Sequence, residues 1–174
     1  MTHTKQTQSQ IYIACLASYN SGILHGEWIT PSTDKDTLSD QIMKVINSSP
    51  MPDAEEWAVH DYDNFANLGE YPGLEDIIKI QIAINEHGAD IVNSFIDDFS
   101  IEDIESLEDA YSGHYDSFLE FATQLALDTI DGLEDNNGPL ARHFSFKDYA
   151  WDLKHDYLEH DAINGGVLVF NRNI

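Results

Sequence analysis

Hydrophobic and polar positions along this chain change period once, and the change divides it. From about Gln10 to Asn67 the pattern reads strand, strand, helix, strand. IYIACL and ILHGEWI are rich in β-branched and aromatic residues, and the turn formers Tyr19, Asn20, Ser21 and Gly22 between them predict a hairpin. In TLSDQIMKVINSSP, Leu38, Ile42, Val45 and Ile46 recur at helical spacing, with Thr37 and Asp40 as the expected cap and Pro50 beyond the end. WAVHDY predicts a third strand, and strict alternation would put Trp57, Val59 and Asp61 on one face and Ala58, His60 and Tyr62 on the other.

From Tyr71 the texture is helical. LEDIIKIQIAINEHG predicts a helix ending near Gly88, and ADIVNSFIDDF a second with Ile91, Val92, Phe95, Ile96 and Phe99 inward. SIEDIESLEDAY predicts a third, with a Ser100/Asp103 capping pair and an apolar stripe of Ile101, Ile104 and Leu107. The pattern breaks near Ser112 and Gly113. HYDSFLEFATQLALDTIDG then restarts a helix, with Tyr115, Phe118, Leu119, Ala122 and Leu125 on one face. DGLEDNNGP reads as a loop, SFKDYAWDLKHDYLEHD as a helix capped by Ser145/Asp148, and GGVLVFN as a terminal strand. The predicted fold class is α+β, a chain of small domains: a flexible tail over 1–9, an α+β domain over 10–70, a helical acidic domain over 71–112 and an α+β domain over 113–174.

Aromatic and aliphatic content near the globular norm argues against wholesale disorder. No apolar run reaches the roughly 18 residues of a membrane span, and the polar start, Met1 to Gln10, lacks the apolar stretch of a signal peptide, so the cytoplasm is the expected location. The single cysteine, Cys15, sits in an apolar run and reads as a small buried residue.

Charge changes the picture most. The chain carries 32 acidic against 8 basic residues, a formal net charge of −24. Between Val45 and Ala141, a span of 97 residues, Lys79 is the only Lys or Arg among 23 Asp and Glu, which gives a net −22. A single-sign field of this size costs stability through self-repulsion. Nucleic acid and anionic membranes attract the opposite charge, so neither is an expected partner. A strongly basic partner is. Helix residues three and four apart place their β carbons about 5 to 6 Å from each other, and duplex DNA carries one negative charge per about 1.7 Å of axis, so 24 excess charges match roughly 12 base pairs. The candidate phosphate substitutes are Asp97, Asp98, Glu102, Asp103, Glu105, Glu108, Asp109, Asp116 and Glu120, with Glu55, Glu56, Asp61, Asp63, Glu70, Glu75 and Asp76 extending the row.

IYIACLASYNSGILHGEWIT, EEWAVHDYDNF and FSFKDYAWDLKHDY together closely resemble the ArdA antirestriction family over nearly everything after Gln10. The resemblance implies an elongated three-domain protein, a homodimer through its C-terminal part, carried by plasmids or conjugative transposons. It also implies a DNA mimic that occupies the DNA-binding cleft in the methyltransferase core of type I restriction-modification enzymes. That role needs no cofactor and no catalysis.

Other chemistries find little footing. Aligning Gly138 with the glycine of a calcium loop puts Leu133 and Phe144 where carboxylates are required. His155, Asp156, Glu159, His160 and Asp161 cluster in sequence, but on a helix His155 and His160 would face different sides, and no HExxH or paired CxxC pattern exists. No metal site is expected. GxSxG, P-loop and GxGxxG motifs are missing. The rival from another class is a solvation-adapted or cation-buffering protein, whose acids would cover all faces.

Overall fold

A computed structural model describes residues 8–133 and 138–174. The fold is mixed, with helices beside two three-stranded antiparallel sheets, as the α+β reading requires. The chain separates into two compact units, Met1–Ile104 and Glu105–Ile174.

In the first unit, strand β1 (Gln10–Cys15) lies between β2 (Gly26–Ile29) and β3 (Trp57–Asp63). Ile11, Ile13 and Cys15 are fully buried, as alternation on a half-covered strand dictates. The connection from β1 to β2 is not the bare turn expected: Leu16–Asn20 forms a short helix, α1, and β2 begins only at Gly26. Gly26 is needed there because a β carbon would stand 2.5 Å from the Ile13 carbonyl oxygen and 2.7 Å from the Tyr12 ring. Helix α2 (Lys35–Asn47) buries Leu38, Ile42, Val45 and Ile46, the stripe read from its spacing. Its cap is Asp34, not Thr37 or Asp40; the Asp34 carboxylate accepts from the Thr37 backbone N–H at 2.9 Å and from its hydroxyl at 2.6 Å. These bonds favour the charged form and hold the Asp34 carboxyl below its ordinary range.

Strand β3 corrects the alternation expected of it. Val59 pairs with Ile13 and Asp61 with Tyr12, so His60 is one residue too many and forms a β-bulge. Beyond it the faces exchange. Tyr62 pairs with Ile11 and joins the side of Val59, while Asp61 and Asp63, opposite Tyr12 and Gln10, take the other face.

Helices α3 (Leu74–His87) and α4 (Ala89–Asp98) meet at Gly88, whose φ of 91° lies in the region that favours glycine. They pack on each other, and α3 also packs on α2. Ile77, Ile80, Ala83, Ile84, Val92 and Phe95 are buried. Of the stripe expected on α4, Val92 and Phe95 are buried, and Ile91, Ile96 and Phe99 are half-buried. Ser9, grouped with the tail by sequence, is also buried, its hydroxyl donating to Gln81 Oε1 at 3.0 Å. Residues 1–7 of the predicted tail lie outside the described residues.

SIEDIESLEDAY is a 3-10 helix, Ile101–Ser106, running into one turn of α-helix, α5 (Leu107–Ala110). The capping pair is half-formed: the Asp103 carboxylate accepts from the Ser100 N–H, while the Ser100 hydroxyl accepts from Glu102 rather than Asp103. In the second unit, β4 (Tyr111–Tyr115), β6 (Val167–Asn171) and β5 (Tyr157–Asp161) form a sheet with β6 in the middle. Of the three, the sequence pattern predicts only β6; His114 and Tyr115, and the stretch Tyr157–Asp161, expected in helices, are strands instead. Helix α6 (Phe118–Thr129) packs against α7 (Phe146–Leu153). It buries Phe118, Phe121, Ala122 and Ala126, whereas Leu119, expected inward, is exposed. Ser145 caps α7 and accepts from the Asp148 N–H at 3.3 Å, as expected. Phe118, Phe121, Ala122, Ala150 and Val169 form the core, with Tyr115, Leu125, Tyr149 and Tyr157 around it.

Candidate functional site

Every one of the sixteen carboxylates singled out by sequence reaches solvent. All are exposed except Asp76, which is half-buried in the first turn of α3. The cause is local: each helix and strand spends its apolar positions on a core, and the acids take what remains.

In the first unit, Glu55 and Glu56 precede β3, and Asp61 and Asp63 leave it on one face, two residues apart. That spacing is roughly 6.7 Å along a strand. Glu70 lies beside Val59, because the Val59 N–H donates to the Glu70 carbonyl at 2.9 Å and so ties the following loop to the strand. Glu75 and Asp76 sit at the N-terminal end of α3, where the helix dipole favours negative charge. Lys35 Nζ donates to Glu75 Oε1 at 2.9 Å and holds its carboxyl below the ordinary range; the pair is largely in solvent and contributes little to stability. Asp97 and Asp98 end α4.

Glu102 and Glu105 are three apart on the 3-10 helix, where side chains at that spacing eclipse and stand about 6 Å apart along the axis. Asp103 is spent in part on the Ser100 N–H. In the second unit, Glu108 and Asp109 stand exposed on α5. Asp116 precedes α6, and Glu120 in its first turn accepts from the Asp116 N–H at 2.7 Å. A carboxylate that accepts one such bond keeps lone pairs for a partner's donors. Glu159, outside the candidate set, pairs with Lys154.

The aromatic side chains gathered at the β3 bulge were missed by sequence reasoning. Tyr19, His60 and Tyr62 line, with Glu70, an open depression of about 480 Å³. No periodicity links residue 19 to residue 60; only the sheet does. Burial pushes the Tyr62 phenol up to about 12, and its hydroxyl donates to the Gly69 carbonyl at 2.6 Å. The folded value lies above the unfolded one of about 10, so the contribution of the neutral phenol is fully present below pH 10. It is lost as pH rises through 12. Phenolate absorbance followed in the native protein should therefore show one tyrosine titrating near pH 12, and Tyr62→Phe should remove that late step; an unchanged profile in the variant would assign it elsewhere.

Among the described residues, no group of three or more His, Cys, Asp or Glu is arranged to hold a metal ion. The loop tested for calcium spacing includes residues 134–137, which lie outside the described residues. His155 follows α7 in a turn, whereas His160 is on β5. Among the described residues, no helix is long and apolar enough to cross a membrane. No curated protein matches the chain. A family model does: the one described as antirestriction protein (ArdA), over residues 11–167.

Proposed function

We propose, from the premise that the chain belongs to the ArdA antirestriction family, that it blocks restriction by mimicking DNA. Its exposed carboxylates take the place of backbone phosphates in the DNA-binding cleft of a type I restriction-modification enzyme, at the methyltransferase core. The observation that carries the reading is the pairing of exposure with sign. From Val45 to Ala141 only Lys79 interrupts the acids, and all but Asp76 of the acids singled out there are exposed, none of them buried in an ion pair. A cleft lined with Lys and Arg gains affinity by releasing counterions, and it does so for any ligand that presents charge at phosphate-like intervals.

Competition is the test. The purified protein displaces a DNA duplex from a type I methyltransferase core at low salt, and the displacement weakens steeply as salt rises. Failure to displace DNA at low salt from several such enzymes would remove the proposal.

The proposal includes a homodimer whose interface uses apolar side chains after Gly113. Leu119 and Trp151, both large, apolar and exposed, are the side chains proposed for it. Two copies would present charge equivalent to roughly 24 base pairs. Sedimentation at micromolar concentration should give the dimer mass, with self-repulsion making association stronger at moderate salt; a monomer throughout would exclude it.

A further inference from the structure

We infer that the depression beside β3 is a receptor for one arginine side chain of the basic partner, with Tyr19 as its wall and Glu70 as its anion. The inference rests on the mimicry reading and deepens it, since it names a single anchoring contact within a diffuse charged surface.

The depression is built by the bulge and by the loop that follows the strand. His60, the extra residue of β3, meets Tyr19 from α1 edge to face, with ring centroids 4.9 Å apart and planes at 81°. Tyr62 lines the same space, its ring oriented by the bond to Gly69. The Val59–Glu70 backbone bond brings the Glu70 carboxylate alongside, 3.9 Å from His60 Nε2 and half exposed. The Tyr71 phenol donates to the Glu70 carboxylate, which raises the phenol above its ordinary range and leaves the carboxylate further lone pairs for a guanidinium. Tyr19 is 54% exposed although it is a large aromatic side chain on the surface of a chain with a net charge of −24.

An exposed aromatic side chain next to a carboxylate whose basic neighbour is a histidine 3.9 Å away, with no Lys or Arg ion-paired to it, matches the two needs of a guanidinium. The planar group stacks on an aromatic ring and donates a fork of hydrogen bonds to a carboxylate. An ammonium satisfies the second need but gains less from the first. The sign of the surrounding field excludes an anionic ligand, and aromatic side chains paired with arginine are the usual anchors of protein interfaces.

Two measurements test it. In NMR spectra of the full chain, arginine amide should shift the ring signals of Tyr19, His60 and Tyr62 saturably, and lysine amide should do so several-fold more weakly. The shifts should be lost in Glu70→Gln and in Tyr19→Ala. No saturable shift, or shifts that persist in both variants, overturns the pocket. In the DNA-competition assay, Tyr19→Ala should raise the half-displacing concentration about tenfold, as expected for loss of a stacked cation, while leaving the salt slope unchanged because no charge is removed. Wild-type competition with an unaffected variant overturns the pocket and leaves mimicry standing. Arginine binding without any wild-type competition overturns mimicry as the purpose of the pocket.

Discussion

Converting Asp61, Asp63, Glu102, Glu105 and Glu108 together to Asn and Gln should leave a protein that folds at least as well as the original and no longer competes with DNA. All five are exposed, and none is buried in an ion pair, so their removal relieves like-charge repulsion rather than breaking packing. If each stands for a phosphate, the slope of log affinity against log salt should flatten by about 0.9 per charge, and so by about 4.5 in all. The affinity at about 50 mM salt should fall by roughly 10³ or more. Competition assays at several salt concentrations, read beside thermal unfolding, separate the two effects. A solvation-adapted protein would behave in the opposite way, losing stability while its interactions stayed as they were. An unchanged slope would mean that these carboxylates meet no basic groups.

Phe170→Ala should be the most damaging single change in the second unit. Phe170 is fully buried on β6, the strand that both others pair with, and it packs against Tyr111 at 5.5 Å and His160 at 6.0 Å between ring centroids. Its truncation removes a large apolar surface and leaves a cavity between strands that cannot close without giving up pairing. The cost should be about 3–5 kcal/mol. Denaturant unfolding followed by the tyrosines of this unit measures it; a loss below about 1 kcal/mol would show that the sheet collapses around the gap.

How far these outcomes could be foreseen from sequence varies with the element. The stripes of α2 and α4 and the helix α3 were legible because apolar residues at intervals of three and four have few alternative readings. The exposure of the acids followed from those stripes. By contrast β4, YSGHY, contains no aliphatic residue and turns on Gly113 at a φ of 133°, so nothing in it announces a strand; its pairing with VLVF supplies the reason it forms. In β5, YLEHD follows α7 after a three-residue turn, its Glu159 standing three residues from Asp156 as on a helix, and the neighbouring β6 overrides that local preference. The Asp34 cap was misplaced by three residues because Thr37 and Asp40 form an equally plausible signature. The Tyr19–Glu70 depression was invisible for a different reason: it joins residues from a short helix, a bulge and a loop, and only tertiary structure defines it.

The single supernumerary residue in β3 sets the phase of everything after it. Side-chain direction in a strand is a binary count, and His60 adds one to that count between Val59 and Asp61. Drawing it into regular pairing would turn Asp61 and Asp63 toward the layer occupied by Val59 and Ile11 and send Tyr62 outward in their place, whereas excising it would leave those faces as they are. Substitution at position 60 leaves that parity intact as long as the residue stays out of the ladder, so the orientation of the acids depends on the bulge being kept rather than on the side chain it carries.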